Sequence, residues 1–138
     1  MCNNENNCNC ICDILKVILA LQQNACPEGC LDSCDRPVLG GGTSCLLCNT
    51  RPVQLYTCCS QSTPISMPTT KDPVENPTTS SVFRVEKIEN NCATFRVLQE
   101  NPDTTSTNPY VATNSLFTMN LNCCCMCRCL SDTYIDCV

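Results

Sequence analysis

Sulfur carries most of the chemistry available to this sequence: 18 of its 138 residues are Cys and none is His. Thiols can close disulfides, bind metal as thiolates or attack as nucleophiles, and their neighbours decide which. Catalysis lacks the neighbours. Without an imidazole nothing activates a thiol or hydroxyl, and Cys45-Leu46-Leu47-Cys48 does not follow a strand and open a helix as a redox dithiol does. The carboxylates Asp32 and Asp35 fall in a loop and read as solvated. No enzyme is expected. Metal binding has one signature, zinc-knuckle spacing at Cys45-x-x-Cys48 and at Cys124-x-x-Cys127. These pairs lie about 75 residues apart, where a compact four-Cys site has roughly 15–20, and in an extended strand Cys124 and Cys127 diverge. A cysteine-rich zinc protein is therefore the alternative reading, and no metal ligand or cofactor is assigned.

Disulfides are the leading use. Trp is absent, and three Phe and three Tyr supply little of the bulky surface that dominates a core, so covalent links must supplement apolar burial. With 8 Lys+Arg against 13 Asp+Glu and a net charge of −5, the chain lacks the basic footprint of a nucleic-acid binder. The apolar run from Ile14 to Leu21 contains Lys16 and is too short to span a bilayer. The first thirteen residues hold no Lys or Arg and already contain Cys2, Cys8, Cys10 and Cys12, so a secretory leader is not expected. A disulfide-rich chain made in a reducing compartment must oxidise late, if it does not bind metal.

The elements that position these thiols follow from composition and periodicity. Residues 1–10 are Asn and Cys with little else and read as a flexible arm. Apolar residues at 11, 14, 15, 18 and 21 predict one helix ending near Asn24, with Asp13 in its first turn and Pro27 and Gly29 beyond its end. Because it is apolar on more than one side, it should pack on the main domain or on another chain. The rest of residues 11–50 reads as irregular and Cys-rich, and residues 51–138 as an antiparallel β domain. Strands are expected over 52–59, 82–88, 92–98 and 115–130, with short ones near Ile65 and at 110–112. The Pro/Thr-rich stretches 60–81 and 99–114 read as loops. In the central hairpin, pairing Phe83 with Val97 and Val85 with Phe95 aligns the apolar faces and leaves Glu89-Asn90-Asn91 as the loop. The opposite face, with Arg84, Glu86, Thr94 and Arg96, reads as solvated.

Strict alternation along 115–130 would put Cys123, Cys125, Cys127 and Cys129 on the same face as Phe117, Met119 and Leu121. Residues two apart on a strand have Cα atoms about 6.6 Å apart with parallel side chains, so these four should not bridge one another. They should meet other segments, such as Cys92, the Cys58/Cys59 pair or the 26–48 region, or stay buried as reduced thiols; with Cys92 they are the internal or buried candidates. Cys124, facing the other way, joins Cys2, Cys8, Cys10 and Cys137 as the candidates for disulfides between subunits. Adjacent cysteines such as Cys58-Cys59 face opposite ways in a strand and can tie an interior bond to an exterior one.

The segments NTRPVQLYT at 49–57, VFRVEKIENNCATFRVL at 82–98 and TMNLNCCCMCRCLSD at 118–132, preceded by a Cys-flanked helix, resemble the cysteine-rich spore coat and exosporium family CotY/CotZ/ExsY. The resemblance implies a structural protein that assembles with itself, as hexamers in a two-dimensional lattice, and with other coat or exosporium proteins. It further implies assembly in the mother-cell cytoplasm, disulfide cross-linking, and a resistant permeability barrier at the spore surface. The fold expected from the pattern is mainly β: a small antiparallel sandwich or flattened barrel with one short N-terminal helix and a Cys-rich arm.

Overall fold

A computed structural model describes residues 10–24, 48–60, 62–136 and 138. The expected arm with Cys2 and Cys8, the irregular segment from Cys26 to Cys45, and Cys137 lie outside them. The described chain is mainly β, with helix α1 (Cys10–Asn24) and strands β1 (Val53–Thr57), β2 (Met67–Pro68), β3 (Thr79–Ser80), β4 (Val82–Glu89), β5 (Cys92–Glu100), β6 (Tyr110–Asn120) and β7 (Cys124–Cys129). A short 3-10 turn, Leu121–Cys123, joins the last two.

Five strands form one antiparallel sheet in the order β6-β5-β4-β1-β7, and β2 pairs with β3. Asn120 ends β6 at one edge and Cys124 begins β7 at the other, only four residues later. Four residues reach at most about 14 Å. A flat five-stranded sheet is roughly 19 Å across. The sheet must therefore curl until its edges approach, and the place it bends is β1 against β4, where only Val53↔Phe83 pairs. The curl stops short of a barrel, since no ladder joins β6 to β7. The flattened-barrel expectation is corrected accordingly: the sheet is open, and α1 and the residues around β2 pack against its core instead.

Inside the curl, Val53, Leu55, Phe83, Val85, Phe95 and Leu121 are fully buried. Phe117 stacks on Phe95 at 5.4 Å and meets Phe83 edge-on at 4.9 Å. Each fully buried large side chain contributes roughly 1.5–3 kcal/mol. The helix adds Ile11, Leu15 and Ile18 from one face, while Ile14, Val17 and Leu21 stay exposed on the other. Gln22 fixes its position. In the register set by Val53↔Phe83, Arg51 N–H would meet Val85 C=O directly; instead Gln22 donates from Nε2 to Val85 O at 2.8 Å and accepts from Arg51 N at 3.0 Å. One buried carboxamide thus fills a missing rung of the ladder and ties α1 to both strands.

The β4–β5 hairpin follows the expected register from Val82↔Leu98 to Val85↔Phe95. A bulge at Glu86 then shifts the pairing to Ile88↔Ala93 and Glu89↔Cys92, shortening the loop to Asn90-Asn91, with Asn90 at φ 54°. Asn tolerates that left-handed conformation better than most residues. The bulge has an electrostatic logic. Arg84 and Arg96 sit directly opposite each other, a repulsive pairing, and Glu86 bridges them, 2.9 Å from Arg84 Nη1 and 3.0 Å from Arg96 Nε.

This face is not the solvated one expected. Arg84 is buried beneath residues 49–50, donating to Thr50 Oγ1 and to Asn49 O. Those residues are in turn covered by the segment after β7: Asn49 N–H and Thr50 N–H donate to Thr133 O, and the Asn49 carboxamide pairs with both backbone groups of Ile135. Nothing in the local alternation of 82–98 signals a cover supplied from residues so distant in sequence.

Candidate functional site

The thiols are positioned by the β1–β7 ladder and by the turn before it. The single strand expected over 115–130 is broken at Leu121–Cys123, where Asn120 caps the 3-10 turn by accepting a hydrogen bond from Asn122 N–H. The turn reverses the alternation over the two residues that follow it. Cys124, expected outside, is buried at 5% exposure, and Cys125, expected on the apolar face, is exposed. A second irregularity then restores it. Thr57 pairs with Cys124 and Tyr56 with Met126, so Cys125 is the extra residue of a bulge. It lies beside Cys58 and is bonded to it, with a Cα–Cα distance of 5.1 Å, inside the range a disulfide spans. Cys48 is also disulfide-bonded.

Burial raises the two thiols that β7 turns inward. Cys127, half-buried opposite Leu55, is pushed up to about 12 by burial first and then by Cys129 and Cys124. Burial likewise raises Cys124, which donates its S–H to Met126 O. Cys10, Cys59, Cys92, Cys123 and Cys129 are exposed thiols. Cys92, Cys123 and Cys129 were expected inside. Cys92 alternates with the buried Ala93 and so faces out; Cys123 sits in the turn that interrupts the strand.

Several of these thiols gather around the Asn90-Asn91 turn. Cys12 donates its S–H to Asn90 O at 3.6 Å, Leu121 N–H donates to Asn91 O at 2.8 Å, and Asn91 donates to the Asn122 side chain. These contacts bring together the start of α1, the hairpin tip and the 3-10 turn, placing Cys10, Cys12, Cys92 and Cys123 within two residues of one another's contacts. The Cys58/Cys59 pair is among the partners expected from the sequence for the cysteines of the last strand, and of the two it is Cys58 that bonds Cys125 while Cys59 is a thiol. For the zinc alternative, Cys45 lies outside the described residues, and among those residues no group of three Cys, Asp or Glu is placed to hold a metal ion. No helix among them is long and apolar enough to cross a membrane.

What fold and site define is a class: a small curled β domain whose core and covalent clasp leave a surplus of thiols on the surface. The chain belongs to the spore coat protein Z family, whose model matches residues 1–110. That match takes in α1 through β5 and ends at the first residue of β6, before the cysteine run of β7. No curated protein and no solved structure matches the chain. Membership makes it a structural component of the spore coat, at the spore surface.

Proposed function

We propose that the chain is a self-assembling shell subunit, joined to its neighbours by disulfides in a two-dimensional lattice that makes the coat or exosporium a resistant permeability barrier. The observation that carries this reading is the set of five exposed thiols, Cys10, Cys59, Cys92, Cys123 and Cys129, none of which lies in the apolar core. A chain with three or more outward thiols can become a network. Cys2, Cys8 and Cys137, expected from the sequence as links between subunits, join the proposed set. Because Cys124 is buried, its expected role falls to the neighbouring Cys123. Lateral contact can use the β6 and β7 edges, each of which has a sheet neighbour on one side only among the described residues. Hexamers as the repeating unit, assembly in the mother-cell cytoplasm, association with other coat or exosporium proteins and a non-catalytic role complete the proposal.

Noncovalent assembly precedes locking in this scheme. Electron microscopy and non-reducing electrophoresis, each with and without reductant, test it. Ordered sheets are expected in reductant, with resistance to boiling in detergent only after oxidation. A single monomer band from oxidised sheets, without reductant, removes the cross-linking function.

A further inference from the structure

We propose that the Cys58–Cys125 disulfide is an exchange site for a thiolate of a second copy of this chain, so that assembled subunits become covalently joined without net oxidation. The inference rests on the shell-subunit reading and specifies how its links form. Both cysteines of the bond are exposed. Cys58 follows the last β1–β7 rung, Cys125 is the bulge residue that pairs in no rung, and neither belongs to the apolar core, so opening the bond leaves the backbone ladder and the buried cluster in place. It joins two cysteine clusters whose remaining members are thiols: Cys59 follows Cys58, and Cys123 and Cys124 precede Cys125. Of these, Cys59 and Cys123 are exposed and can present a thiolate to a neighbour, whereas Cys124 is buried.

The step balances without a co-reactant. A thiolate on one subunit attacks Cys58 Sγ of the next; a new S–S bond forms between chains, the Cys58–Cys125 bond breaks, and the electron pair and negative charge pass to Cys125. The released Cys125 thiolate then attacks Cys58 of a third subunit. Growth propagates as Cys125-to-Cys58 links between successive chains, and the number of thiols stays constant throughout. Dilute subunits resist this reaction, because the 5.1 Å Cα separation keeps the expelled thiolate beside its old partner and favours reclosure. Only a neighbour held in place by assembly competes at comparable effective concentration.

The test mixes equal amounts of ordinary and nitrogen-15-labelled full-length chain, each carrying the closed bond, and lets them assemble under anaerobic conditions before acid quench, alkylation and digestion. Linked peptides containing Cys58 and Cys125 should become light–heavy hybrids, rising toward about half of all such pairs, the statistical limit for exchange between neighbours. The thiol count per chain should not change. The Cys58→Ser/Cys125→Ser double variant should assemble yet form no such links without oxygen. Linked peptides that stay wholly light or wholly heavy overturn the proposal, as does joining that consumes thiols. A parallel sample in air separates the two readings: covalent joining there, with no anaerobic hybrids, sinks exchange but leaves the shell subunit standing, while no joining in either arm removes both.

Discussion

Replacing Glu86 by Gln should destabilise the fold far more than loss of a surface ion pair does. Glu86 holds two guanidinium groups at 2.9 and 3.0 Å, and side-chain exposure is only 9% for Arg84, 20% for Glu86 and 23% for Arg96. With an effective dielectric constant near 20, each contact is worth roughly 5 kcal/mol before desolvation is subtracted. Removing the carboxylate from a paired, mostly buried cluster typically costs about 3–5 kcal/mol, because the remaining charge stays buried without compensation. Here two charges remain, and Arg84 faces Arg96 across the ladder. The residual exposure of Glu86 and Arg96 lets water screen part of this, so the lower end, about 3 kcal/mol, is expected. Urea unfolding of the reduced protein reads the loss as a lower midpoint at unchanged slope. A loss of about 0.5 kcal/mol or less, the scale of exposed pairs, would refute the reasoning and restore a solvated sheet face.

Three further outcomes follow from the fold. Gln22→Glu keeps an acceptor for Arg51 N–H but has no donor for Val85 O, so it should lose more stability than the about 1 kcal/mol of an ordinary hydrogen bond, while Gln22→Met preserves packing and separates bond from bulk. Cys127 ties stability to alkaline pH. Its thiol titrates at about 12 in the fold against an ordinary 9.0, so the unfolded chain releases the proton first. The associated stability is fully present below pH 9.0 and is lost as pH rises toward about 12, with a slope near 1.4 kcal/mol per unit that Cys127→Ala should flatten. Arg51→Ala removes the 2.6 Å contact with Asp132, whose carboxyl the Arg51 hydrogen bond holds below its usual range; with both side chains more than a third exposed, the loss should be at most about 1 kcal/mol and should vanish in high salt by thermal unfolding.

Local period was enough to find α1 and the hairpin. The spacing of Ile11, Leu15 and Ile18 placed the helix within one residue of its true start, and aligning Phe83 with Val97 fixed the register up to Val85. Beyond Val85 the register depended on a three-way charge contact, which no pattern of polarity encodes. The thiol-rich run shows the same limit more sharply. Alternation assigned its faces from one continuous strand, but Asn120 caps a turn at Leu121 that reverses the faces of Cys124 and Cys125 before the bulge at Cys125 returns Met126 and Cys127 to the expected ones. Cys124 and Cys125 were therefore exchanged between interior and surface, and the Cys58–Cys125 bond followed from that exchange. The buried Arg84 depended on residues 49–50 and 133–135, whose contact is a matter of tertiary closure rather than of local preference.

The pairing of β1 with β7 also sets a timetable. Strands β4, β5 and β6 are consecutive neighbours and can zip up as they leave the ribosome, but Cys58 must wait 67 residues for Cys125. At about 5–20 residues per second, that is a delay of roughly 3–13 s, during which β1 is a nascent strand with no β7 to receive it. A reducing compartment would protect the chain for those seconds, because Cys58 would meet no oxidant before its own partner had been made.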